Sequence, residues 1–254
     1  MRSVQFEQKN AVLWICFFIA LALQVALWIS VRDVRISWGN VPPVPSTAAM
    51  KMQALGDTQM AYRMAALMLQ NLGNTNGYTA KFEEYDYERL MGWFERAGAL
   101  DARSDMLALL AAYYFSAAES PVQLRLVINY LAKAGDSGDG QKWRWLAQAV
   151  YLARFRLNDN ELALSLARKL AALDNPAMPP WTRRMPAIIL SDLGQEDAAY
   201  NMMREMLREG ADTLPSSEVN VMLDYICTRF QNIPPHDKEV FCKGKLAPAQ
   251  KRLK

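Results

Sequence analysis

Two patterns of hydrophobic and polar positions divide this chain. From Ala11 to Ile29 the sequence is apolar, broken only by Gln24. At about 1.5 Å per helical residue such a run spans the hydrocarbon core of a bilayer. Trp14 and Trp28 stand near its ends, where amphipathic rings prefer the interface. The run is longer than a signal-peptide core, and apolar residues continue past the small-x-small triplet Ala20-Leu21-Ala22, so an uncleaved anchor is expected. Downstream, β-branched alternation is absent, while Ala, Leu, Met, Gln and Arg abound. That composition favours helix throughout and predicts an all-α chain. The expected organisation is an N-terminal flank (1–10), a transmembrane helix (11–31), a Pro-rich spacer (32–46), a helical body (47–230) and a basic, disordered tail (231–254).

Turn formers set the expected boundaries within the body. Pro42, Pro43 and Pro45 predict an extended, semi-rigid spacer that lifts the body off the membrane. A first helix should run through about Leu72 and stop at Gly73-Asn74-Thr75-Asn76-Gly77. Helix should resume near Asp86 and end about Gly98. A further pair is expected from Ser104 to about Ala118 and from Pro121 to about Ala134, with Ser120 as the cap of the second. Gly135 to Gly140 is expected to be a flexible break. A last helix should start at Pro215-Ser216-Ser217-Glu218, run through Phe230 and cap the body.

Between Gln141 and Leu207 two helical hairpins carry matched turns. Leu157-Asn158 is followed five residues later by Ala163, and Leu193-Gly194 five residues later by Ala199. Asn and Gly enter a left-handed helix end at least cost, and a small residue after the turn lets the next helix pack closely. Ala163 and Ala199 are 36 positions apart, a period typical of stacked helical pairs. Stepping the period upstream reaches Leu126 and Leu90, and four residues beyond each mark stand Phe94, Tyr130, Ala167 and Met203. The stretch Phe94-Glu95-Arg96-Ala97-Gly98-Ala99-Leu100-Asp101 resembles the second helix of a tetratricopeptide repeat, and Trp145, Ala149 and Leu152 have the spacing of that family's first helix. Ala187, Leu190, Gly194 and Ala199 match it in order. Leu90, Leu126, Met203 and Pro186 depart from the pattern, and the turn after Leu152 is about two residues longer. The resemblance covers roughly residues 57–230. It implies an α-solenoid of about four helical pairs with a capping helix, in which the first helix of each pair lines a concave groove.

The chemistry available is narrow. A net charge of +3 gives no reason to expect nucleic acid. One histidine and three cysteines leave little for a metal site or catalytic triad, and no phosphate loop or nucleophile elbow is present. No enzyme activity, metal or cofactor is therefore expected. His236 reads as a solvated loop residue. Met60, Met64 and Met68 could offer thioethers to Cu(I), but with no His or Cys beside them they read as core filling. Trp93, Trp143, Trp145 and Trp181 read as packing between helical pairs.

On the first helix of the third pair, Arg144, Gln148 and Tyr151 share a face by i, i+4, i+7 spacing, with Arg154, Arg156, Arg183 and Arg184 nearby. Given the groove that the resemblance implies, Arg144, Gln148, Tyr151 and Arg184 are the candidate partner-binding residues, suited to a carboxylate or acidic peptide. The alternative is a solvated basic face balanced by Glu161, Asp192, Glu196 and Asp197. Cys227 and Cys242 are the only cysteine pair outside the apolar run. They are compatible with a disulfide in an oxidising periplasm, or with one buried and one free thiol. Arg2 and Lys9 before the span, against Arg32 and Arg35 after it, bias the N-terminus only slightly inward. The expected function is a membrane-anchored protein–protein interaction scaffold that assists a complex of a bacterial inner membrane or envelope, its body in the periplasm. Alternatives are a cytosol-facing peptide receptor and an enzyme with an unrecognised groove site.

Overall fold

The computed structural model describes residues 2–32, 40–75, 78–137, 140–210 and 214–243, which belong to two units, Met1–Gly39 and Asn40–Lys254. Arg35, the turn residues Asn76 and Gly77, Gly138 and Asp139 of the expected break, and the basic stretch from residue 244 onward lie outside the described residues.

The first unit is one helix, α1 (Arg2–Val31). Within it Leu13–Val31 is 19 residues long with a mean hydropathy of 2.3, and all of these residues are exposed. It is long and apolar enough to cross a membrane, a property shared by anchors and signal sequences.

The second unit holds α2 (Thr47–Gln53), α3 (Thr58–Gln70), a two-stranded antiparallel hairpin (β1, Asn74–Thr75; β2, Tyr78–Thr79), α4 (Tyr87–Gly98), α5 (Met106–Tyr113), α6 (Pro121–Gly135), α7 (Trp143–Tyr151), α8 (Asn160–Ala171), α9 (Trp181–Asp192), α10 (Glu196–Gly210), α11 (Ser216–Arg229) and α12 (Pro235–Cys242). Local chemistry explains many of the boundaries. Carboxylates of Asp57, Asp86 and Asp159 accept from the first free amides of α3, α4 and α8. Asn158 (φ 55°) and Gly194 (φ 75°) turn the chain through the left-handed region after α7 and α9, at the two places where the sequence predicts it. Ser120 occupies the cap position of α6, but its hydroxyl makes no capping bond. Pro121 in the first turn leaves fewer amides to satisfy there.

From α6 to α12 each helix packs on the next, and α3, α5 and α7, like α4 and α6, also pack in steps of two. Phe94, Tyr130, Ala167 and Met203 are all buried, one each on α4, α6, α8 and α10. Leu90, Ala163 and Ala199 are buried as well, whereas Leu126 is only partly so. Trp143 meets Trp181 edge-on at 5.9 Å, joining α7 to α9.

Several expectations are corrected. The first helix of the body is two: Leu55 (φ 53°) and Gly56 (φ 89°) break it before Asp57 caps α3. The Pro-rich segment is not a free spacer. Val41 is fully buried, Trp93 Nε1 donates to Pro42 O at 2.8 Å, and Arg96 Nη1 donates to Pro45 O at 2.8 Å. The indole donor of a buried Trp93 needs an acceptor, and the Pro42 carbonyl is held against α4 to supply one. Met60 and Met64 do not fill the core. They are about half exposed, because α3 packs through Ala61, Tyr62, Ala65, Ala66 and Leu69 instead. Gly135 does not begin a break: it lies in α6, where an added Cβ would collide with the Leu146 backbone of α7. The extra residues after Leu152 form a π-turn, Leu152–Arg156, in which Leu157 N–H donates to Leu152 O at 2.9 Å. Finally, residues 235–242 are helical rather than disordered. A Cys227–Cys242 disulfide (Cα–Cα 5.8 Å) and a hydrogen bond from Tyr200 to Asp237 hold α12 to the body.

Candidate functional site

The structure places two of the four sequence-derived binding residues together. Gln148 and Tyr151 line an open groove of about 390 Å³ with Tyr113, Ser116 and Arg156, where α5 packs against α7. The spacing that put Gln148 and Tyr151 on one face does so because α7 buries Trp143, Trp145, Leu146, Ala149 and Val150 on the other. The π-turn after α7 brings Phe155 beside Tyr151, with ring centroids 5.1 Å apart. The result is an aromatic face: Tyr113, Tyr151 and Phe155 are 70%, 51% and 55% exposed. Leu109, one turn before Tyr113 on α5, extends it. Tyr113 and Phe155 were missed from sequence. The π-turn, whose only trace is the long turn after Leu152, sets where Phe155 points.

Arg144 stands on the same helix but is partly compensated. Its Nη2 lies 3.7 Å from Asp105 Oδ2, and its guanidinium packs over Trp145 at 5.8 Å. Asp105 is the hub at the start of α5: burial alone would raise its pKa, but hydrogen bonds from Trp145 and Lys142 outweigh that and hold it below the ordinary carboxylate value. Arg184 is elsewhere. Its Nη1 lies 2.6 Å from Glu218 Oε1 of α11, and both side chains are largely buried, so it ties two helices together instead of facing a partner. Its neighbour Arg183 is exposed and lines a different groove, of about 560 Å³, with Arg168, Pro186, Met202 and Met206. Arg154 pairs with Asp192. His236 begins α12 with its side chain largely exposed, 3.3 Å from the Asp237 carboxylate.

A second open cavity, of about 500 Å³, is lined mainly by residues of α3, α4, α5 and α6 and the loops beside them. Phe94, Leu107, Ala108 and Tyr130, all buried, stand behind its wall, and Tyr62, Glu95, Lys133 and Lys142 are among its polar residues. Tyr62 donates to Ser104 Oγ at 2.7 Å, and Lys142 Nζ donates to Ser104 O at 2.7 Å. Sequence inspection gave no sign of this cavity, since its residues come from helices with no shared local motif. Among the described residues, no three His, Cys, Asp or Glu side chains are grouped so as to hold a metal ion.

Comparison with known proteins identifies no relative: no family model matches the chain, nor does any curated protein or any solved structure.

Proposed function

We propose that this chain is a membrane-anchored interaction scaffold whose helical pairs stack as a tetratricopeptide-like solenoid and whose α5–α7 face receives a protein partner. The observation that carries this reading is the exposure of Tyr113, Tyr151 and Phe155 beside Gln148 and Arg156. Large aromatics held out in water next to a hydrogen-bonding amide and an arginine are the composition of interface centres. Stacking is supported by the burial of Phe94, Tyr130, Ala167 and Met203 at the period marks and by the left-handed Asn158 and Gly194. The step-of-two packing of α3, α5 and α7 makes their outward faces neighbours, as a groove of first helices requires.

The partner chemistry differs from the acidic segment that the arginines suggest. With Arg184 committed to Glu218 and Arg144 beside Asp105, recognition falls to the aromatic face, with Arg156 among its lining residues and Arg154, paired with Asp192, stacked over Phe155. The Cys227–Cys242 disulfide favours an oxidising compartment for the body, hence a periplasmic placement. The physiological task, support of an envelope complex, is inferred from the combination of an anchor with a binding face.

The test uses the full chain in mild detergent. Tyr113→Ala with Tyr151→Ala should abolish co-purification of the partner that the wild type captures, while circular dichroism and the unfolding midpoint stay unchanged. Equal capture by the double variant would reject the α5–α7 face. Recovery of the protein in a salt- and carbonate-resistant membrane fraction supports the anchor, whereas a soluble form beginning after residue 22 would identify a signal sequence.

A further inference from the structure

Two polar side chains inside the apolar run of α1 meet different fates. Ser30, near its end, donates its hydroxyl to Leu27 O at 2.8 Å and so finds its partner within its own helix. The Gln24 amide makes no hydrogen bond to any described residue. Gln24 lies two residues from Ala22, the midpoint of Leu13–Val31. In a bilayer that places it about 3 Å from mid-depth and about 12 Å from the headgroups, farther than its side chain reaches. No water is at hand there, and an amide left unpaired in hydrocarbon is strongly disfavoured. Polar side chains at such depth face a protein partner or a pathway rather than lipid. Gln24 also shares its side of the helix with small residues. Cys16, Ala20 and Gln24 recur at i, i+4 and i+8, and all three are exposed. The bulkier Ile15, Phe18, Val25 and Ile29 project from the opposite side. Small residues at Cys16 and Ala20 let a second helix backbone approach closely, in the right-handed crossing that i, i+4 spacing favours.

We propose that the anchor self-associates: two copies of α1, parallel in the membrane, meet along Cys16, Ala20 and Gln24 and exchange hydrogen bonds between their Gln24 amides. The amide is complementary to itself, since its NH2 donates and its C=O accepts. A second copy inserted in the same direction carries its own Gln24 at the same depth, so it offers both groups where they are needed. Lipid chains at that depth offer neither. The proposal rests on the anchored reading of α1. It is independent of the α5–α7 face, which belongs to the other unit of the chain.

The full chain is reconstituted in phosphatidylcholine vesicles with a donor or an acceptor fluorophore at its C-terminus. Förster transfer is followed as the lipid-to-protein ratio is varied. Transfer should exceed that of chance encounters and fall as lipid is added. Gln24→Leu keeps the span apolar and should weaken self-association roughly three- to tenfold, the worth of one interhelical hydrogen bond. Gln24→Asn keeps an amide and should retain most of it. Insertion of each variant is checked by carbonate extraction. Cys16 gives an independent reading of the face, because Cys227 and Cys242 are paired and it is the remaining thiol of the three. Oxidation by copper phenanthroline should join two copies through Cys16. Cys16→Ser combined with Ile15→Cys moves the thiol to the other side at nearly the same depth, and should not be joined. Transfer no higher than chance overturns the proposal while the anchored reading stands. So does equal transfer in Gln24→Leu, or cross-linking through position 15 as strong as through Cys16. A soluble form beginning after residue 22 overturns both.

Discussion

Arg184 on α9 and Glu218 on α11 form an ion pair at 2.6 Å, with only 17% and 12% of their side chains exposed. The pair ties α9 to α11. Removing one member leaves the other buried without a counter-charge, a cost of roughly 3 kcal/mol. Arg184→Ala should therefore lower the denaturant midpoint clearly, whereas Arg183→Ala, one residue away and exposed, should change it by less than about 0.5 kcal/mol. Urea titrations of the two variants compare them directly, and equal effects would remove the clamp from the account.

Glycine positions give a paired test of packing. At Gly135 an added methyl would run into the backbone of Leu146, so Gly135→Ala should destabilise by about 1–3 kcal/mol through overpacking. At Gly98 an added Cβ meets nothing within 4 Å, so Gly98→Ala should stabilise by about 0.5–1 kcal/mol through reduced chain entropy. Opposite signs in thermal unfolding are the expected result.

The disulfide closes a separation of 15 residues between α11 and α12, for which chain entropy gives about 3 kcal/mol. Cys242→Ser should lower stability by about that amount and open residues 235–242 to proteolysis. Cleavage mapped by mass spectrometry, with and without reductant on the wild type, reports it.

Docking of α12 should also depend on pH at both extremes. The hydrogen bond from Tyr200, followed by the neighbouring His236 and Arg204, holds the Asp237 pKa below the ordinary carboxylate value. A depressed carboxylate pKa stabilises above the unfolded value of about 4, and that contribution is lost as pH falls further. Burial and then Asp237 raise the Tyr200 pKa to about 12. A raised phenol pKa stabilises below the unfolded value of about 10 and is lost as pH rises through the folded one. The stability difference between wild type and Asp237→Asn should thus be flat from about pH 5 to 9 and shrink outside that window. Denaturant unfolding across pH tests both limbs, and a constant difference would show that Asp237 does not couple to α12 docking.

Residues whose effect is local were legible in the sequence. Asn158 and Gly194 announce their turns because few residues tolerate a left-handed backbone, and apolar positions at helical spacing such as Phe94, Tyr130, Ala167 and Met203 are buried, with Leu126 only partly so. The same regularity puts Gln148 and Tyr151 on one face of α7. Long-range partners were not legible. Nothing in the spacing distinguishes Arg184 from Arg183, since the difference is Glu218, 34 positions away on another helix. The methionine stripe misled at Met60 and Met64 for a related reason: apolar spacing identifies a face but not whether a neighbour covers it, and of the three only Met68 packs against the core while α3 turns its alanines inward. The cavity depends on four helices at once, and the seating of Pro42 depends on an indole 51 positions later.

That seating shortens the chain's leash. With Val41 buried and Pro42 and Pro45 hydrogen-bonded to α4, only eight residues separate Arg32 from the first fixed point of the body. The nine steps from Arg32 to Val41 reach at most about 32 Å even when fully extended. In the anchored arrangement proposed above, that covalent reach alone confines Val41 to one patch of bilayer around the anchor. A partner in that patch meets an effective concentration on the order of millimolar, and contacts too weak to hold two free proteins then suffice. A flexible insertion after Asn40 would dilute the binding face without touching it.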